Sequence, residues 1–451
     1  MLKTPLEKWI ASKISQKSSE ENLDQIDLRS YQIKQLKRTV EYARSESPFY
    51  RQMLNELTPE CLRNLEDIGQ FPFTTSDHLQ CRGAEFLCVS QSEIERVVTL
   101  RVPGSGATIR RLYFTANEVE QTVDFFHHGM ATLVEAGQKV LILMPGERPD
   151  TVGDLLVRAL ARLGVEGIVY GFVQDAAHAL REIDRLNIDV LVGIPTQALS
   201  LARHDDCAFV RPGRIKSVLL SSDYVSPAII AEIQRAWVCR VFSHYGSTEM
   251  GFGGGVECQA LHGYHVREAD LYFEIVDPQT GKIQPYGQPG EIVFTTLTRR
   301  AMPLIRYRTG DLSRFLTGPC PCGSTLRRLD RVRGRINEFV RLGANHWVGT
   351  PDLDDTLFSV SELLDYRAVL NDCEGHDQLN IIIDAGSRQD EGVLNKVRNA
   401  LMETQALRDA IDDGSVTLGP LTFDLLNPTE TSAFKRSVSD QRGHATKRLR
   451  H

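Results

Sequence analysis

The chain has 451 residues, room for two to four domains at roughly 100–200 residues each. Its 41% hydrophobic and 25% charged residues exclude a collagen-like, disordered or short disulfide-scaffold protein. With 52 Lys and Arg against 59 Asp and Glu, the net charge of -7 argues against bulk nucleic-acid binding.

The N-terminus carries charges throughout and has no apolar core of signal-peptide length. No uncharged run anywhere approaches the roughly 18 apolar residues of a membrane helix, so the sequence reads as cytoplasmic. Residues 1–60 read as helical: Ile33, Leu36, Val40 and Ala43 recur at helical spacing, and Pro48 should stop that helix. From about 139, short apolar runs at 140–144, 167–170, 190–194 and 218–220 are separated by helical stretches. The clearest of these carries Val152, Leu155, Leu156, Ala159, Leu160 and Leu163 on one face. Alternating strand and helix predicts an α/β fold with mostly parallel sheets covered by helices, and ligands at the carboxyl ends of the strands. Residues 271–276 and 291–297 read as strands around the turn from Asp277 to Gly281, which suggests a β-rich subdomain at about 265–335. The stretch after Arg335 reads as a separate domain, with a strand at 379–383 and a helix at 392–403. The last 17 residues hold six Lys or Arg and one acid, and read as a solvated end.

Three local motifs carry chemistry. In Ser243-His244-Tyr245-Gly246-Ser247-Thr248-Glu249, Gly246 allows a tight turn and Tyr245 offers a flat face to a nucleobase. Ser247 and Thr248 offer hydroxyls to phosphate, and Glu249 a hard oxygen to Mg²⁺. In Tyr307-Arg308-Thr309-Gly310-Asp311, the carboxylate can accept two hydrogen bonds from a ribose diol. In Arg331-Val332-Arg333-Gly334-Arg335, the cations could serve phosphates or a ribose. Each alone is equally a polar turn, a salt-bridged turn or a charged hairpin.

Together and in this order they resemble the adenylate-forming superfamily of acyl-CoA synthetases, and more closely its phenylacetate–CoA ligase branch. Ser47-Pro-Phe-Tyr, Phe71-Pro-Phe-Thr-Thr, Thr295-Thr-Leu-Thr and Ala301-Met-Pro-Leu-Ile-Arg-Tyr-Arg-Thr-Gly-Asp311 match that branch. The resemblance implies an AMP-forming carboxylate–CoA ligase using ATP, Mg²⁺, CoA and a small-molecule carboxylic acid. It implies a large N-terminal domain, 1–335, and a small mobile α+β C-terminal domain, 336–451, hinged at 336–338. Tyr245 would stack on adenine, Thr248 would contact the α-phosphate, Glu249 would ligate Mg²⁺, Asp311 would hold the ribose and Arg335 would assist nearby. Gly104, Ser105, Gly106 and Thr108 stand in the phosphate loop, where Ala107, Thr108 and Ile109 replace the usual Gly, Lys and Pro. Arg110 or Arg111 could supply the missing charge. Ser222 and Asp223 are candidate cofactor-binding residues, and Thr196 and Gln197 candidate pocket residues. Gly343, in Leu342-Gly343-Ala344-Asn345-His346-Trp347, stands where relatives approach the CoA thiol, in altered surroundings. Lys435 is the candidate catalytic lysine, with a register one residue off also open. A homodimer is compatible with the resemblance. Transfer of the acyl group to a protein thiol, or a catalytically degenerate nucleotide-binding protein, are the other readings.

Nine cysteines are an odd and sparse set, which argues for reduced thiols. Cys258, His265, Cys320 and Cys322 nevertheless supply three thiolates and an imidazole, the ligand set of a closed structural Zn²⁺ site. Unliganded thiols are the alternative, and His262 competes with His265.

Overall fold

The computed structural model describes residues 3–14, 23–101, 109–426 and 436–442. Its contacts divide the chain into two compact units. One comprises Met1–Gly137, Gly146–Gly167 and Ser243–Val332; the other comprises Gln138–Pro145, Ile168–Phe242 and Arg333–His451. The last crossing falls three residues before the expected boundary at 335. Among the described residues, no helix is long and apolar enough to cross a membrane.

The first unit opens with helices. Gln25–Glu46 buries Leu28, Leu36, Val40 and Ala43 and ends before Pro48, as its sequence requires. Ser47 then caps Pro48–Met53, its Oγ accepting the Tyr50 N–H at 3.2 Å. Ile94–Arg101 and Ile109–Thr115 form an antiparallel pair in which Arg101 faces Ile109. Of the stretch expected to form the phosphate loop, Ile109, Arg110 and Arg111 lie on the second of these strands. A capping box of Thr115 and Glu118 starts the helix Ala116–Met130, which packs on Val152–Ala161. The predicted stripe of Leu155, Leu156, Ala159 and Leu160 is buried on the latter.

Leu271–Val276, Gly290–Thr296 and Tyr307–Ser313 form a three-stranded antiparallel sheet. The turn from Asp277 forms because its Oδ1 accepts the N–H groups of Gln279 and Thr280. The β-rich segment is less self-contained than its sequence suggests. Gly255–Glu257 pairs with His244 and Tyr245, Tyr264–Val266 pairs with Gly255–Glu257, and Arg328–Leu329 completes the row.

In the second unit, Lys139–Ile142, Val190–Gly193 and Ser217–Leu220 pair in parallel, as their apolar runs imply. Helices Ala176–Arg185, Pro195–Arg203 and Pro227–Trp237 follow the strands as crossovers. Further along lies a four-stranded sheet in the order Val416–Phe423, His376–Asp384, Asp365–Cys373, Ser439–Asp440. One apolar core runs from Leu141, Leu191 and Val218 to Leu357, Leu370, Ile381 and Leu401. Arg203 reinforces it by donating to the carbonyls of Phe358 at 2.6 Å and Val360 at 2.8 Å.

Candidate nucleotide site and cysteine cluster

The strand Arg240–Tyr245 ends in a turn built by one glycine. Gly246 is needed for close approach rather than for a left-handed backbone: a Cβ there would lie 2.4 Å from the Phe252 carbonyl oxygen. The chain folds back so that Ser247 O accepts the Phe252 N–H at 2.9 Å and Tyr245 O accepts the Gly254 N–H at 2.9 Å. Tyr245, Ser247, Thr248 and Glu249 are thereby gathered at one strand end.

The strand Tyr307–Ser313 brings the second motif to the first. Tyr245 donates its hydroxyl to Asp311 Oδ2 at 2.8 Å, and Tyr307 donates its hydroxyl to Glu249 Oε1 at 3.1 Å. Tyr307 and Asp311 are four residues apart on one strand, with an irregularity in its pairing between them. Each motif thus supplies a tyrosine to the other's carboxylate. Asp311 is 1% exposed and Glu249 5% exposed, so these are charge-assisted bonds in a largely dry site. The Ser247 hydroxyl has no hydrogen-bond partner among the described residues.

Three further residues take part, of which the sequence had offered only Arg110, together with Arg111, as a source of charge. Arg110 ends its side chain 2.6 Å from Glu249 Oε1, an ion pair whose side chains are 15% and 6% exposed. It also donates to Ser76 Oγ, and reaches the Tyr307 hydroxyl at 3.5 Å. Arg299, buried with its guanidinium 4.3 Å above the Phe114 ring, donates to Glu249 O at 2.5 Å. Tyr307 is the third. The charge substitution at Arg110 was the one visible signal; the others are contacts between distant parts of the chain. His244, beside the motif, packs against Phe125 and Phe126, and burial pulls its imidazole down to about 4, neutral at pH 7.

The second unit holds the remaining described candidates. Ser222 has φ of 78°, a strained conformation for a non-glycine residue. Asp223 is engaged by the Arg436 Nε at 3.2 Å. Arg436 also grips both oxygens of Asp354, at 2.9 and 2.5 Å, and lies over the rings of Phe358 and Tyr366. Gln197 is turned to the backbone, accepting the Val173 N–H at 3.2 Å. Arg335 begins a short turn over Ile336–Glu338, its N–H donating to Glu338 Oε2 at 3.0 Å. Gly343 sits at the tip of the hairpin of Val340–Leu342 and His346–Val348 with φ of 57°; a Cβ there would meet Ser415 at 2.4 Å. Gly104, Ser105, Gly106, Thr108 and Lys435 lie outside the described residues.

The cysteine cluster forms in the first unit. Cys258 follows the strand Gly255–Glu257, His265 lies on Tyr264–Val266, and Cys320 and Cys322 share the loop before Arg328–Leu329. All four are buried, with ligand atoms within 4.8 Å of one another. Cys258 Sγ is 3.6 Å from Cys320 Sγ, and Cys322 Sγ is 3.4 Å from His265 Nε2. Zn–S bonds of about 2.3 Å in a tetrahedron set sulfurs roughly 3.8 Å apart, so the donors fit that geometry. His262 is not in the group; its Nδ1 is 2.8 Å from the Arg328 guanidinium.

Residues 153–297, which include the Tyr245–Glu249 turn, match the family described as AMP-binding enzyme. A phenylacetate–coenzyme A ligase of Thermus thermophilus is 29% identical over 366 residues, covering 79% of this chain and 80% of that protein. One from Escherichia coli K12 is 26% identical over 371 residues, covering 79% and 82%. Among solved structures, 2-hydroxyisobutyryl-CoA ligase in the postadenylation state with R3-HIB-AMP superposes with a TM-score of 0.76 at 19% identity, over 94% of this chain and 91% of that one. The same ligase with 2-HIB-AMP and CoA in the thioesterification state gives 0.65 at 20% identity, over 93% and 91%. The chain thus shares the fold of that ligase, and the segment matching the AMP-binding enzyme family contains the Tyr245–Glu249 turn. Over about four fifths of its length the chain is similar to phenylacetate–CoA ligases.

Proposed function

We propose that the chain is an ATP-dependent carboxylate–CoA ligase, which activates a carboxylic acid as acyl-AMP and passes the acyl group to the thiol of CoA. The observation that carries this reading is the exchange of tyrosines between the two carboxylate motifs, Tyr245 to Asp311 and Tyr307 to Glu249. It holds Asp311 and Glu249 within one frame, which supports reading them as ribose acceptor and cation ligand. Tyr245 borders the adenine, Asp311 accepts from the ribose hydroxyls, and the Thr248 hydroxyl meets the α-phosphate. The acid's carboxylate oxygen attacks the α-phosphorus and the bond to pyrophosphate breaks. Positioning and electrostatic complementarity supply most of the acceleration.

Glu249 offers one buried hard-oxygen ligand beside the phosphate-facing hydroxyls, a donor set that fits Mg²⁺ completed by substrate phosphates. Bound there, Mg²⁺ would supply charge neutralisation at the phosphates. Cys258, His265, Cys320 and Cys322 would hold a Zn²⁺ in a closed, structural role. Gly104, Ser105, Gly106 and Thr108 cradle the phosphates, and Arg335 and Lys435 add positive charge. Ser222 and Asp223 border the nucleotide, residues 336–338 are the hinge, and Gly343 faces the CoA thiol in the second step.

The test is exchange of labelled pyrophosphate into ATP with purified protein, Mg·ATP and a carboxylic-acid library, followed by thioester formation with CoA. Acid-dependent exchange and an acyl-CoA product support the reading. Exchange without CoA consumption points to a protein-thiol acceptor. ATP binding with no exchange for any acid sinks the ligase reading.

A further inference from the structure

The cation paired with Glu249 is this chain's own. We propose that Arg110 is a positioning residue that competes with the divalent cation for Glu249, and so sets how much metal the site requires. This rests on the reading of Glu249 as the metal ligand.

Arg110 Nη2 lies 2.6 Å from Glu249 Oε1, the same oxygen that accepts the Tyr307 hydroxyl at 3.1 Å. That oxygen is already crowded by two donors. A divalent cation on this carboxylate must either displace the guanidinium or sit within a few ångströms of it. With the two side chains 15% and 6% exposed, water screens the repulsion poorly. Arg110 is also anchored independently of Glu249, through Ser76 Oγ, so a stable position is available to it when it lets go. Its Nε is buried with no hydrogen-bond partner among the described residues, a donor still available to an anionic acceptor such as a phosphate oxygen. Arg110 lies on the strand Ile109–Thr115, within the stretch matched to the phosphate loop. The geometry therefore makes it a cation that serves Glu249 or the nucleotide, with the divalent ion deciding which.

The experiment is Mn²⁺ binding to the full chain, read from the free-ion electron paramagnetic resonance signal, without substrates. Arg110→Gln should bind Mn²⁺ at least about tenfold more tightly than wild type, while Arg110→Lys, which keeps the charge, should stay near wild type. Arg110→Met replaces the glutamine variant if that protein fails to fold by circular dichroism. Adding Glu249→Gln to either neutral variant should abolish the gain. Unchanged or weaker Mn²⁺ binding in a folded neutral variant overturns the competition. If the gain appears but survives Glu249→Gln, the metal sits elsewhere; both this proposal and the Glu249 reading then fall. If Glu249→Gln alone removes wild-type binding and Arg110→Gln changes nothing, only the Arg110 proposal falls.

Discussion

Two phenol hydroxyls aim the carboxylates on which the proposed chemistry depends. A hydrogen bond to a charged acceptor contributes about 1.5–3 kcal/mol. Tyr307→Phe should therefore slow pyrophosphate exchange by about tenfold or more while leaving the fold intact. Exchange at the wild-type rate would mean that Arg110 alone orients Glu249. In the second unit, Arg436 is the one guanidinium among the described residues that pairs with Asp354, whose side chain is fully buried. Arg436→Met strands that carboxylate and should lower stability by about 3–5 kcal/mol in urea unfolding; a loss under 1 kcal/mol would show that Asp354 takes up a proton instead. Glu249 and Asp311 were legible in the sequence because each stands in a short motif whose turn chemistry is local. Tyr307 and Arg110 as their partners were not, since they arrive from strands about 60 and 140 residues away. The ion pair of Asp223 with Arg436 was likewise not legible, since it spans 213 positions.

Among elements, the junction leading into the strand Leu271–Val276 shows how a buried charge ties the first unit together. Asp270 accepts from Lys13 on the helix Pro5–Ile14 at 2.8 Å, from the Arg267 Nε at 2.7 Å and from the Thr298 hydroxyl at 3.1 Å. Burial alone would raise its carboxyl, but Arg267 and Lys13 outweigh that and hold it at about 2, below the ordinary 3.8. Because the folded value is the lower one, the contribution is complete above about pH 4 and is lost as pH falls toward 2. The size is about 2 kcal/mol. Asp270→Asn should thus be less stable than wild type at pH 7, with the difference shrinking between pH 4 and pH 2 in urea titrations. A pH-independent difference would assign the loss to packing instead. Strands and helices themselves were readable, since period 2 and period 3.6 are properties of neighbours in sequence. The partnering of Tyr264–Val266 with Gly255–Glu257 was not, because a three-residue strand carries too little periodicity to declare which sheet it joins.

For the molecule as a whole, the sequence suggested a division at 335, whereas contacts weave three stretches into each unit. The apolar residues of 138–242 and of 340–438 look alike in composition, and only folding reveals that they form one core. The cysteine cluster was readable as chemistry but not as topology. Cys320→Ser should reduce bound zinc from about one ion per chain to near zero and lower the melting temperature; an unchanged zinc content would remove the metal assignment. Cys258 and Cys320, 62 positions apart, meet at one point, and the strand carrying Tyr307 and Asp311 lies wholly between them. The cluster thus closes a long loop whose freedom, once released, grows with its length. Opening that closure would free the strand that presents Tyr307 to Glu249 and Asp311 to Tyr245.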